Sequence, residues 1–246
     1  MSFADIIGQE RIIRLLQKAL AQNLLPHAFL FTGIEGVGKH LTAVTLAKAV
    51  NCQNRSGADC CDECVSCRKA ESGNHPDINL IESEGPFIKI EQIRALKHCM
   101  RFSPLEGVYR VTVIREAQNL KVEAANALLK VLEEPPYDNL IILTANETAA
   151  LLPTLVSRCL HLSFQPLATP DISAYLCRTR GISPERAAVV AVLSGGSLTR
   201  AAAMLDEEQL ERRKWLLETV AEIRTSRIAD LMAAVKDWKG GNAELK

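Results

Sequence analysis

The chain has 246 residues, of which 48% are hydrophobic and 24% charged. Those proportions fit a soluble globular protein of one large or two modest domains and exclude a disordered, fibrous or membrane-embedded chain. Lysine plus arginine and aspartate plus glutamate each number 29, which argues against a globally basic, DNA-coating surface and leaves room for a local patch.

The start, Met1-Ser2-Phe3-Ala4-Asp5, lacks the basic and then apolar pattern of a secretory signal. No stretch is long and apolar enough to cross a bilayer, so the cytoplasm is the expected compartment. Apolar residues at helical spacing (Ile12, Ile13, Leu15, Leu16, Ala19, Leu20) predict a helix over 6–20, and Pro26 marks the break after it. Ala28-Phe29-Leu30-Phe31 then reads as a short buried strand, followed by a glycine-rich turn and a helix over 41–50. Strand, glycine loop and helix in that order form a phosphate-binding α/β unit.

A cysteine module interrupts the pattern over 51–70. Beyond it come a strand over 78–81, a helix over 90–101, a β-rich run over 109–114 and a helix over 122–132 that Pro135-Pro136 stops. Residues 140–144 are a nearly all-apolar strand, as in a sheet covered on both faces. The alternation predicts an α/β domain over 1–165, a mostly parallel sheet flanked by helices. Residues 162–170, with Pro166 and Pro170, read as a linker. After it, 172–180, 184–194, 198–205 and 207–238 read as helices only, a small helical domain over 166–240.

Gly33-Ile34-Glu35-Gly36-Val37-Gly38-Lys39-His40 fits G-x-x-x-x-G-K between a strand and a helix. The backbone N–H groups of such a turn can wrap a phosphate, the helix N-terminus adds a favourable field, and Lys39 can reach the β and γ phosphates. The position after the lysine ordinarily carries a magnesium-binding hydroxyl, and here it is His40. Imidazole is a poor ligand for magnesium, which prefers small oxygen donors. A nucleotide site also needs an acidic pair closing a strand. Residues 111–117 offer Glu116, with Arg115 where the magnesium aspartate would sit. Magnesium is therefore not expected, and two readings of the loop stay open: a holder of ATP or ADP, and an inherited turn with no occupant.

Four of the eight cysteines lie at Cys60, Cys61, Cys64 and Cys67, and Cys52 precedes them. In a reducing compartment such a cluster points to metal before disulfide. Cys52, Cys61, Cys64 and Cys67 supply four thiolates with the spacing of a tetrahedral structural zinc site, with Cys60 an alternative to Cys61. Closed four-thiolate coordination staples a segment too short to bury its own core.

These segments together resemble the bacterial clamp loader of the replicative DNA polymerase, a branch of the AAA+ ATPases. The matching words run from Phe3-Ala4-Asp5-Ile6-Ile7-Gly8-Gln9-Glu10 through Pro26-His27-Ala28-Phe29-Leu30-Phe31, the glycine loop and the cysteine module. They continue with Asn126-Ala127-Leu128-Leu129-Lys130-Val131-Leu132-Glu133-Glu134-Pro135-Pro136 and Leu155-Val156-Ser157-Arg158-Cys159. The match spans roughly 3–165 and continues more weakly to about 205. The resemblance implies an AAA+ P-loop sheet and a helical lid, with a collar domain truncated after about residue 207.

In that family the Ser-Arg-Cys word carries an arginine finger aimed into the neighbouring subunit's ATP site, and Arg158 is the matching residue. The competing reading of Arg158 is a structural arginine capping a helix. Two kinds of subunit share the architecture: a motor that hydrolyses ATP, and a stator that usually does not. His40 and Arg115 with Arg158 retained match the stator. By motif position Asn146 would sense the γ phosphate. Thr199 stands where motors place a sensing arginine, and neighbouring Arg200 is turned away by about 100° along a helix. The implied partners are motor subunits and the delta subunit, the sliding clamp, and primer-template DNA through the complex. A DNA-dependent ATPase with an unusual metal site and a metal-stapled adaptor with a vestigial loop remain the alternatives.

Overall fold

The computed structural model describes residues 2–55 and 57–206. Its centre is a five-stranded sheet of β1 (Ala28–Thr32), β2 (Ile78–Ile81), β3 (Arg110–Ile114), β4 (Asn139–Ala145) and β5 (Leu160–Ser163), in the order β2-β3-β4-β1-β5. Every pairing is parallel. Strands β1, β3 and β4 are buried along their whole length. That burial explains why their sequences run apolar without polar alternation.

Successive side chains on a strand face opposite sides, so each strand feeds two cores. Phe29, Phe31, Val111, Val113, Leu140 and Ile142 face α1 (Glu10–Ala21), α2 (Lys39–Val50) and the cysteine module. Leu30, Ile114, Ile141 and Leu143 face the other way, with α4 (Ile90–Cys99), α5 (Val122–Glu133) and α6 (Pro153–Val156). Helix α3 (Val65–Glu71) starts after Cys64 and carries Cys67 in its first turn.

The elements read from sequence recur within a few residues, with three differences. The first helix starts at Glu10, after a single 3-10 turn at Phe3–Asp5, because Gln9 adopts left-handed backbone (φ 61°). The short helices α3 and α6 carry no long periodic run that would announce them. The run read as a linker from residue 162 begins inside β5, where Leu162 pairs with Phe31 and Ser163 with Thr32. Four residues of strand are too few for a period-two signal to stand out.

The chain divides into two compact units, Met1–Leu198 and Thr199–Lys246. The first also holds α7 (Thr169–Arg180) and α8 (Pro184–Leu193), which pack on each other through Ile172, Leu176, Ala187, Val190 and Ala191. Helix α9 (Leu198–Ala203) crosses the division. The helix expected over 207–238, and the truncated domain expected from about 207, lie outside the described residues. No helix among the described residues is long and apolar enough to cross a membrane.

Candidate functional site

The glycine loop leaves the C-terminal end of β1 and turns into α2. Its shape needs glycine at two positions in particular. Gly38, the residue before α2, has φ 96°, a region that L side chains rarely occupy. Gly33 has φ 145°, and a Cβ there would sit 2.6 Å from the Phe164 carbonyl oxygen. The Lys39 ammonium folds back over the loop. It donates to the Gly33 carbonyl, to the Ile34 carbonyl at 2.8 Å and to Asn146 Oδ1 at 3.5 Å. Burial lowers the Lys39 pKa, with Glu35 and Glu116 opposing that shift. The loop also meets a distant part of the chain: the Leu198 amide donates to the Gly36 carbonyl at 3.0 Å. Sequence reading gave no sign of that contact, which depends on a chain reversal over more than 160 positions.

His40 occupies the first turn of α2, and its Nδ1 is buried with no hydrogen-bond partner. Burial lowers the His40 pKa, and the Arg115 guanidinium lowers it further while Glu82 opposes, so the ring is neutral near pH 7. Arg115 follows β3 and its guanidinium pairs with Glu82. Glu116, the next residue, has left-handed backbone (φ 50°) and accepts from Asn119 Nδ2 at 3.0 Å. At the two positions where the resemblance leads one to expect oxygen ligands for magnesium, the chain carries the imidazole of His40 and the guanidinium of Arg115. A hard cation that demands oxygen donors does not fit that pair.

Arg158 lies between α6 and β5. One guanidinium nitrogen donates to the Thr154 carbonyl at 2.9 Å and the other meets Glu133 Oε1 at 2.5 Å. The side chains of Arg158 and Glu133 are 33% and 49% exposed, so water competes for both ends of the pair. The hydrogen bond to the last turn of α6 is the capping contact of the structural reading, and Glu133 was missed because it stands 25 positions upstream.

At the far end of α2, Cys52, Cys61, Cys64 and Cys67 bring their four Sγ atoms within 4.8 Å of one another, a candidate metal centre. Backbone amides point at three of the sulfurs. The Cys61 amide donates to Cys52 at 3.3 Å, the Cys64 amide to Cys61 at 3.4 Å and the Cys67 amide to Cys64 at 3.4 Å. Such bonds favour thiolates. Burial opposes the Cys64 thiolate, yet the Cys67 and Gln53 amides bring its pKa down to about 6. A soft, compact four-sulfur donor set fits zinc. Cys60 stands outside the group, with its thiol on Asp62 Oδ1 at 3.5 Å, and the choice between Cys60 and Cys61 therefore falls to Cys61.

A lysine fastens this module to α2. Lys48 is 2% exposed and its ammonium meets Asp62 at 2.5 Å and Glu71 at 2.8 Å, one carboxylate from each side of the module. A buried lysine is costly without such partners. A charged residue in the apolar run of α2 was the available signal, and its partners were not identifiable from sequence. A second buried pair braces the neighbouring loop. Asp77 accepts from the amides of Leu105, Glu106 and Gly107 and faces Arg110 at 3.3 Å.

The family model described as DNA polymerase III, delta subunit, matches residues 8–168. The delta' subunit of DNA polymerase III from Bacillus subtilis is 39% identical over 183 residues, 74% of this chain and 55% of that protein. The tau subunit from the same organism is 36% identical over 170 residues, 69% of this chain and 30% of its own. The tau/gamma subunit of Haemophilus influenzae is 38% identical over 175 residues, 71% of this chain and 25% of its own. The chain thus spans about half the length of the delta' relative and less of the others. Among solved structures, a gamma subunit-related protein of Thermotoga maritima aligns with a TM-score of 0.55 at 19% identity, covering 89% of this chain and 65% of that one. The RuvB Holliday junction branch migration motor of Thermotoga maritima aligns at 0.55 and 16% identity, covering 90% and 66%. At such identities the two structures speak for the fold alone. The family model covers more than half of the chain, and the chain belongs to the DNA polymerase III delta-subunit family, among the clamp-loader subunits of AAA+ type.

Proposed function

We propose that the chain is a non-hydrolysing, delta prime-like subunit of the DNA polymerase III clamp loader. In this reading it serves as a stator and lends Arg158 to the ATP site of a neighbouring motor subunit while the sliding clamp is loaded on primed DNA. The observation that supports the reading is that His40, the residue after Lys39, buries its Nδ1 without a hydrogen-bond partner, and that Arg115 at the end of β3 pairs with Glu82, so neither offers the oxygen donor that magnesium would need. Hydrolysis of a nucleoside triphosphate needs the metal to neutralise charge on the transferring phosphoryl group. With that metal excluded, the chain keeps the means to complete a neighbour's site. Arg158 is partly exposed and held by a solvent-screened pair, which costs little to exchange for phosphoryl oxygens. The proposed partners are the motor and delta subunits, the clamp, and primer-template DNA through the assembly. Zinc is the proposed structural metal at Cys52, Cys61, Cys64 and Cys67.

The test is the ATPase rate of a reconstituted loader carrying Arg158→Ala. A fall of about 10³-fold at the neighbouring site, with assembly intact, is the expected result, and an unchanged rate removes the finger assignment. A second reading, an ATP-hydrolysing member of the family, draws more support from the comparisons. The tau and tau/gamma relatives match almost as well as the delta' relative. Its signature is magnesium-dependent turnover by the purified chain that Lys39→Ala abolishes.

A further inference from the structure

The residues that precede two of the four clustered cysteines reach out of the module and hold a loop on the neighbouring part of the sheet. We infer that a metal bound at Cys52, Cys61, Cys64 and Cys67 fixes the loop at residues 105–109, so that gain and loss of the metal switch how this loop displays its apolar side chains. The inference rests on the zinc reading of the cysteine cluster.

Asn51, which precedes Cys52, is buried, and its side-chain amide pairs with the backbone of Tyr109 in both directions. Its Nδ2 donates to the Tyr109 carbonyl at 2.8 Å, and its Oδ1 accepts from the Tyr109 amide at 2.9 Å. The loop lies so close to this group that a Cβ at Gly107 would stand 2.5 Å from Asn51 Oδ1.

Ser66, which precedes Cys67, is buried as well, and its hydroxyl donates to the Asn51 carbonyl at 2.7 Å. The same hydroxyl lies 3.1 Å from His75 Nε2. The Asp77 amide donates to His75 Nδ1 at 3.1 Å, so the ring proton sits on Nε2 and points at Ser66. The Asp77 carboxylate in turn takes the amides of Leu105, Glu106 and Gly107. Lys69, on α3 beyond Cys67, adds an ion pair with Glu106 at 2.6 Å, which water screens.

Four amides of the loop are thus held by side chains, and those side chains lead back to the residues beside Cys52 and Cys67. A side-chain amide can grip Tyr109 in both directions only while the backbone of residue 51 stays in place. Four thiolates closed on one ion join the two stretches firmly. Without the ion, more of that closure falls to the Ser66 to Asn51 hydrogen bond, a far weaker tie between neutral groups. The loop's own side chains make the consequence visible. Leu105 and Val108 are exposed, as is Phe102 just before them, and a loosened backbone lets such groups fold inward and leave water.

The experiment is amide NMR of the isotope-labelled full chain, zinc-loaded and chelated, with zinc content measured on each sample. On chelation the resonances of Leu105, Glu106, Gly107 and Tyr109 should shift and exchange with water about tenfold faster, while those of β4 stay in place. Asn51→Ala should release the Tyr109 amide with zinc still bound. Because coupling is reciprocal, that variant should also hold zinc about tenfold more weakly in competition with a chelator. Loop resonances that ignore chelation, or an unchanged zinc affinity in folded Asn51→Ala, overturn the inference and leave the zinc reading standing. Loss of the β4 resonances together with those of the loop also overturns it, since the metal would then hold the whole domain. A chain that takes up no zinc overturns both.

Discussion

The two ends of α2 have met different fates. At its C-terminal end every group the chemistry calls for is present: four sulfurs converge, amides point at three of them, and Lys48 ties the module down with two carboxylates. At its N-terminal end the glycine-loop backbone keeps its positive-φ form, while the side chain after Lys39 is His40, whose Nδ1 is buried without a partner, and Arg115 follows β3. A metal centre that holds a fold together is tested at every folding event. A catalytic metal site is tested only by turnover, and it can be dismantled without the scaffold noticing. The contrast teaches that a preserved loop geometry is evidence of a fold, and that activity has to be argued from the atoms that touch the ligand.

The sharpest way to break the comparison is to remove the metal. Chelation, or Cys64→Ser with Cys67→Ser, should cost about 4 kcal/mol and lower the melting temperature by roughly 10 °C. Thermal unfolding beside elemental analysis for near-stoichiometric zinc would settle the matter. Cys60→Ser should leave zinc content unchanged. Next in size is the double change Asp62→Asn with Glu71→Gln, which strands a buried ammonium and should cost about 3 kcal/mol in denaturant unfolding. Lys48→Met, which removes the buried charge, should be much milder. The pH dependence has a fixed sign. The Lys48 ammonium holds the Glu71 carboxyl below its usual range. The stability from that pair is therefore present above the ordinary glutamate range and is lost as pH falls through the depressed folded value.

At the other end of the helix, Gly33→Ala drives a Cβ against the Phe164 carbonyl from a positive-φ position. It should cost about 2 kcal/mol in the same unfolding assay. The smallest effect belongs to Arg158→Ala, within about 0.5 kcal/mol of the native chain, because its pair with Glu133 is screened by water. A large stability loss there would mean that the capping contact to Thr154, and not a finger, is what the arginine serves.

Much of the fold was legible because it is written in local patterns. The apolar runs of β1, β3 and β4, the break at Pro135-Pro136 and the C-x2-C-x2-C spacing each report a physical constraint within a few residues. What escaped was either too short to have a period or carried by distant positions. Strand β5 is four residues long, and α6 likewise. The ion-pair partners of Lys48, Arg158 and Asp77 lie between 14 and 33 positions away, at separations that nothing but the chain path fixes. The candidate site was legible in its residue types and silent in their state. Sequence named His40 and Arg115 as departures, and only the structure shows the orphaned ring nitrogen.

Lys48 also constrains how this protein can be shortened. Its ammonium is neutralised by residues that belong to the cysteine module, so cutting the module out would leave a charge in the core beneath the excised segment. Excision is therefore a two-part edit, in which position 48 must become apolar at the same time. A minimal version of the domain that drops residues 53–71, and with them both Asp62 and Glu71, should fold with Lys48→Met and fail with the native lysine.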